Sequence, residues 1–197
     1  MSFERYLKGW TPQTGRHIAE DGSVVNLANL AQRADQVDFL LAVEDGLIYQ
    51  ASWRGVIDNG STVHFAQPVT SGSIRGIAFS GVIQGGPIEY RLCVGAVFGD
   101  ALETIEGYNA DRRLFGNAGF ISDNPVIRVD SATGGTIIDR GYGQTPATGA
   151  SRASSGLSAA GVGGIYNGAS QPCFTLQNTG SSAAQVALTW IWKERPE

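Results

Sequence analysis

Few side chains in this chain are equipped for chemistry, and their spacing decides what they can do. The only imidazoles are His17 and His64. A hydrolytic triad needs a nucleophile, a base and an orienting acid. Neither histidine lies in a nucleophile motif, and no Gly-x-Ser-x-Gly elbow is present. Zinc sites use ligands at short spacings such as Cys-x-x-Cys or His-x-x-x-His. Cys93 and Cys173 stand far from each other and from both histidines in sequence. Carboxylates gather at Asp35, Asp38, Glu44 and Asp45, and again at Asp100, Glu103 and Glu106. Neither group follows the alternating pattern of a calcium loop, so both read as solvated connectors. Glu89 is the only glutamate inside a strand-like run, and no partner carboxylate for glycoside cleavage can be paired with it. These residues predict no catalytic centre, no cofactor and no metal.

Binding residues are easier to find. Trp53, Tyr108, Tyr142 and Tyr166 could offer ring faces to sugars. Trp53 falls in an alternating strand and reads as core. The tyrosines read as loop residues, so a glycan contact through Tyr108, Tyr142 and Tyr166 is one expectation. Cys93 and Cys173 sit in apolar strand-like runs and read as buried free thiols. Asn59-Gly60-Ser61 has the form of a glycosylation sequon but reads as a turn. Arg140–Gly143 contains Gly-x-Gly without the strand–helix context that holds phosphate.

The elements that must position these residues are strands. Residues 183–193, AAQVALTWIWK, put Ala184, Val186, Leu188, Trp190 and Trp192 on one face. Successive strand side chains point to opposite faces, so this period of two marks a half-buried strand. Residues 46–58 alternate likewise, with Leu47, Tyr49, Ala51, Trp53 and Ile57 on one side. Strands are also expected over 61–67, 73–83, 88–98, 119–122, 126–130, 136–140 and 171–178. Turns fall at 58–60, 84–87 and 178–181. The reading pairs 61–67 back on 46–58, and 171–178 with 183–193. Residues 100–113 read as a loop or a single helical turn. Residues 141–170 are rich in Gly, Ala, Ser and Thr and read as a long loop or a small-residue strand against a symmetry mate. With 27 glycines and no collagen repeat, the glycine marks tight β corners. The fold class expected is all-β, a jelly-roll-like β-sandwich over residues 37–197.

Ahead of it lies an arm, residues 1–36. Phe3, Tyr6, Leu7 and Trp10 would line one face of a short helix, which needs something to dock on. Asp21–Gly22 is a hairpin turn signal between strand-like residues 16–20 and 23–27.

Bulk properties narrow the partners. Charged residues make up 16% of the chain, against about 25% in soluble domains, and a charge-poor surface suits contact with other protein. A net charge of −4 argues against nucleic acid, whose phosphates demand clustered Lys and Arg. No apolar run is long enough to span a bilayer and no signal core opens the sequence, so folding in a cytoplasm and no membrane partner are expected.

The stretch Thr14-Gly15-Arg16-His17-Ile18-Ala19-Glu20-Asp21-Gly22-Ser23-Val24-Val25-Asn26-Leu27 resembles the N-terminal segment of structural proteins of tailed bacteriophages, among them head decoration and head-fibre proteins and tail adaptors. There the pattern is Gly-Arg, an apolar residue, an acidic-Gly turn, an apolar pair and Asn. His17 and Ala19 depart from it. The resemblance implies no catalysis and no cofactor. It implies a virion location and attachment to a major capsid or other virion protein through Phe3, Tyr6, Trp10, Arg16, Ile18, Val24, Val25 and Asn26. It also fits a homotrimer. The other reading is a carbohydrate- or receptor-binding module of a phage tail or spike.

Overall fold

The computed structural model describes residues 16–18, 24–26, 40–117, 119–143, 155–158 and 165–195. The chain divides into two compact units, Met1–Asp45 and Gly46–Glu197. In the first, β1 (Arg16–Ile18) pairs antiparallel with β2 (Val24–Asn26), with His17 opposite Val25. The turn expected at Asp21–Gly22 lies outside the described residues. Residues 40–44 form a helical turn. The expected helix over residues 2–10, with Phe3, Tyr6 and Trp10, lies outside the described residues.

The second unit is two packed antiparallel sheets. Its strands are β3 (Ile48–Ile57), β4 (Thr62–Ala66), β5 (Ser73–Gln84), β6 (Ile88–Phe98), β7 (Ala101–Ile105), β8 (Tyr108–Asn109), β9 (Val126–Val129), β10 (Ala132–Gly143), β11 (Ser155–Ser158), β12 (Ile165–Tyr166), β13 (Pro172–Asn178) and β14 (Ala184–Arg195). One sheet runs β11-β5-β14-β3-β8, with β12 also on β5; the other runs β10-β6-β13-β4-β9-β7. The pairing is nested. β3 lies on β14, β4 on β13, β5 on β11 and β12, β6 on β10, and β7 on β9. A single long antiparallel ribbon has rolled up on itself, which is the jelly-roll arrangement.

This nesting corrects two local pairings. β3 and β4 do not form a hairpin, and neither do β13 and β14; each couple straddles the two sheets. Sequence neighbours joined by a tight turn are the natural first guess. Here both strands of each couple carry a full apolar face, and two such faces bury each other only when stacked across a sandwich. The polar stretch at 100–113 is not a plain loop. It holds β7, β8 and a 3-10 turn at Arg112–Leu114. Residues 119–122 supply no strand, only a bridge from Ile121 to Tyr108. Within the Gly-rich segment, β10 runs on to Gly143 while β11 and β12 add to the edge of β5.

The core is aromatic and joins the sheets. Trp190 on β14 packs against Phe65 on β4 (ring centroids 5.2 Å), Phe79 on β5 (5.7 Å) and Phe174 on β13 (6.2 Å). Phe65 also meets Trp53 edge-on at 5.0 Å. β14 is central, between β5 and β3, and the face bearing Ala184, Val186, Leu188, Trp190 and Trp192 is buried throughout. Two glycines make room for these rings. A Cβ on Gly55 would stand 2.2 Å from the Trp53 ring, and one on Gly107 would stand 2.3 Å from Trp192.

One buried amide locks the roll. Asn178 has no exposed surface. Its Nδ2 donates to the carbonyls of Ile57 (2.9 Å) and Ser182 (2.8 Å), and its Oδ1 accepts from Gly180 N (2.9 Å). It thereby ties the turn after β13 to the end of β3. Asn178→Ala leaves two carbonyls and an amide without this partner. Each such buried group costs about 1–3 kcal/mol, so a loss of about 2–4 kcal/mol is expected in chemical denaturation. An unchanged midpoint would mean that water replaces the amide.

Candidate functional site

Two polar constellations stand out on the second unit. The first lies on the outer face of β6. Alternation buries Ile88, Tyr90 and Leu92 inward and turns Glu89, Arg91 and Cys93 outward. Register then sets Tyr142 of β10 opposite Glu89, and Arg140 opposite Arg91. Glu89 Oε1 accepts from Arg91 Nε (2.7 Å) and Arg140 Nε (2.7 Å), while its Oε2 accepts from Tyr142 OH (3.3 Å). The Arg91 hydrogen bond, ahead of Arg140, holds this carboxyl below its usual range although burial opposes that. Both oxygens are engaged, so the cluster is a cross-strand brace.

A depressed folded pKa makes the stabilising contribution complete above the ordinary glutamate value of about 4.3. It is lost as pH falls through the folded value. Glu89→Gln should therefore lower stability at neutral pH and flatten the acid limb of the stability curve. A variant with the parent's acid limb would take Glu89 out of the brace.

Beside it stand the thiols. Cys93 and Cys173 oppose each other on β6 and β13, and both are free. Burial pushes the Cys173 thiol up to about 12, and Cys93 up as well. The thiolate is the nucleophile. Cys173 should therefore resist a maleimide in the native protein and label only on unfolding, while half-buried Cys93 labels first. Equal native rates would contradict the burial of Cys173. His64, on the same outer face, sits 3.1 Å from Thr175 Oγ1, and burial lowers its pKa. It is a neutral strand residue with a hydroxyl partner.

The second constellation is a groove of about 560 Å³ between β3 and the β7–β8 segment, lined by Gln50, Ser52, Trp53, Arg54, Glu103 to Glu106 and Tyr108. Its origin is topological. β8 pairs with β3 only at Tyr49 and Gln50, and β7 departs into the other sheet. The hydrogen bond from Ala110 N to Ile48 O, with that from Glu194 N to Leu47 O, fixes the parity of β3. Even-numbered residues direct their backbone groups away from β14. Ser52 and Arg54 therefore aim N–H and C=O into the groove, where no strand among the described residues pairs with them. Glu103 Oε2 accepts from Trp53 Nε1 (3.3 Å) and Arg128 Nε (3.0 Å). Tyr108 OH donates to Glu106 Oε2 at 2.7 Å, and this bond raises the phenol's pKa.

The loop behind the groove is held by buried polar groups. Asn109 Nδ2 donates to the carbonyls of Gly46 and Gly119, and its Oδ1 accepts from Asp111 N. Asp111 accepts from Arg113 Nε and NH2, each at 2.8 Å. Ser122 Oγ donates to Glu194 Oε1, which also accepts from Trp192 Nε1. Phe120 meets the Tyr108 ring at a tilt of 42°, with centroids 5.7 Å apart.

The three tyrosines expected to meet glycans part company. All lie in strands. Tyr166 is 4% exposed in the core, so it offers no ring face; β12 brought it inside by pairing with Ile74 on β5. Tyr142 is 61% exposed but bound to the Glu89 brace. Tyr108, 42% exposed, is the one at a groove. Trp53 is core, as its alternation indicated. Glu103 and Glu106, read from sequence as a solvated connector, line that groove. The outward positions of β3 already marked Gln50, Ser52 and Arg54, but their meeting with β7 had no local signal. Of the arm residues, Arg16, Ile18, Val24, Val25 and Asn26 lie on the β1–β2 ladder. Among the described residues, no group of three or more His, Cys, Asp and Glu could hold a metal ion. No helix among them is long and apolar enough to cross a membrane.

The second unit is thus an antiparallel jelly-roll sandwich with a polar groove at one sheet edge. No family model and no curated protein matches the chain. Among solved structures, T=1 particles derived from infectious bursal virus align at 11% identity and a TM-score of 0.20, over 76% of this chain and 40% of that one. Infectious bursal disease virus Gx strain aligns at 16% identity and a TM-score of 0.18, over 76% and 42%. The chain thus spans about two fifths of the length of those proteins. At such TM-scores the overlap assigns neither a family nor a function.

Proposed function

We propose that this protein is a non-enzymatic structural component of a virion, of capsid-decoration or head-fibre type, attached through residues 1–36 as a homotrimer. The observation that carries the reading is the division into a closed jelly-roll unit and a separate small unit bearing the β1–β2 hairpin, on the stretch that resembles phage attachment segments. Jelly rolls recur in viral capsids and lectins, and fold alone does not choose between them. The outward polar groups of the second sheet favour architecture: Glu89 accepts from Arg91, Arg140 and Tyr142, and His64 Nδ1 lies against Thr175 Oγ1.

The edge of the second sheet supports an assembly. Among the described residues β10, twelve residues long, pairs only with β6. Ile137, Ile138 and neighbouring Val97 are about half exposed or more. Long apolar edges invite further strands unless covered, and a second copy of this chain is the cover proposed. Light scattering should give about three times the 20.8 kDa chain mass, and Ile137→Lys should shift it toward monomer. Imaging purified particles by electron microscopy tests the location. Absence of this chain from particles overturns the reading.

A further inference from the structure

We propose that the groove between β3 and the β7–β8 segment binds a neutral carbohydrate, with one sugar ring stacked on Tyr108. Four features of the groove point there. Its volume of about 560 Å³ lies within the about 300–1,000 Å³ of small-ligand sites.

Tyr108 is held by two contacts: its hydroxyl donates to Glu106 and its ring packs at a tilt against Phe120, while 42% of the residue stays open. A partly open ring with a hydrogen-bonded hydroxyl and an aromatic neighbour offers a stacking surface with little side-chain entropy to lose on binding.

The charges cancel. Glu103 is matched by Arg128 at 3.0 Å, and Glu106 shares the groove with Arg54. A cationic ligand would meet Arg54, and an anionic one would meet two carboxylates. A hydroxyl both donates and accepts, so a polyol can use the carboxylate acceptors, the Gln50 amide and the Arg54 donors together.

The backbone of Ser52 and Arg54 adds donors and acceptors from the free edge of β3. Strand addition by a peptide reads a longer row of such positions, and only these two residues of the row line the groove.

The proposal is independent of the virion reading, since it concerns the second unit whatever carries it. The test is an array of neutral oligosaccharides, acidic oligosaccharides and peptides probed with the full chain, followed by saturation-transfer NMR on the best binder. Neutral glycans should be retained. Tyr108→Ala should weaken them about tenfold or more, equivalent to about 1.4 kcal/mol. Tyr108→Phe should keep the stack and most of the affinity, and Gln50→Ala should weaken binding at an unchanged melting temperature. Tyr142→Ala, on the other sheet, should bind like the parent. Retention of peptides or acidic glycans alone, no retention at all, or neutral-glycan binding that survives both Tyr108→Ala and Gln50→Ala would each overturn the assignment.

Discussion

Trp190→Ala is expected to lower stability by about 3–5 kcal/mol, the cost of emptying a large aromatic site in a packed core. A domain of this kind is stable by about 5–15 kcal/mol in all, so the variant should sit at the edge of unfolding. Trp190 is 3% exposed on the central strand and touches Phe65, Phe79 and Phe174 from three other strands. Its contacts span both sheets, so no single strand can relax to fill the space. Its indole Nε1 has no hydrogen-bond partner, which makes the loss one of packing alone. Trp190→Phe keeps most of the ring contacts and removes a buried donor that gains nothing where it is. That variant should cost well under half as much. Denaturant titration of both decides the matter. An alanine variant as stable as the parent would mean that the roll does not depend on its aromatic centre.

The second large effect concerns attachment. Deleting residues 1–36 should leave the jelly roll folded and abolish rebinding to particles that lack the protein. Among the described residues, those of the core cluster fall between Tyr49 and Trp192, so residues 37–197 are expected to carry the apolar faces they need. Circular dichroism and a cooperative melt near the parent temperature are the expected controls. In the proposed trimer the expected loss is large, because three arms would act together. Each docked arm raises the effective concentration of the next, and the gain in avidity reaches roughly 10²–10⁴. The full chain should therefore rebind almost irreversibly and the truncated one hardly at all. Equal rebinding would put the attachment surface on the sandwich. An unfolded truncation would make the arm part of the core.

Much of this molecule is legible in its residues one strand at a time. The alternation in residues 183–193 and 46–58 assigns Trp190, Trp192 and Trp53 to the buried face, while Ile48, of the opposite parity, is buried as well. Asp21–Gly22 locates its hairpin, and Gly-rich turns locate the strand ends. These follow from local geometry: a period of two and a positive backbone angle are properties of a few adjacent residues.

What the tertiary structure alone decided is which strand meets which. The sequence offers tight turns after β3 and β13, and turns favour hairpins. Stacking two apolar faces across a sandwich removes more surface from water than laying the strands side by side, so both couples straddle the sheets. That choice put Tyr166 in the core, gathered Glu89 with Arg140 and Tyr142, and left the edge of β3 open beside Glu103 and Glu106. The groove is made by residues about fifty positions apart, from strands in different sheets. No periodicity or motif along the chain encodes such a meeting; only burial of the whole roll brings it about.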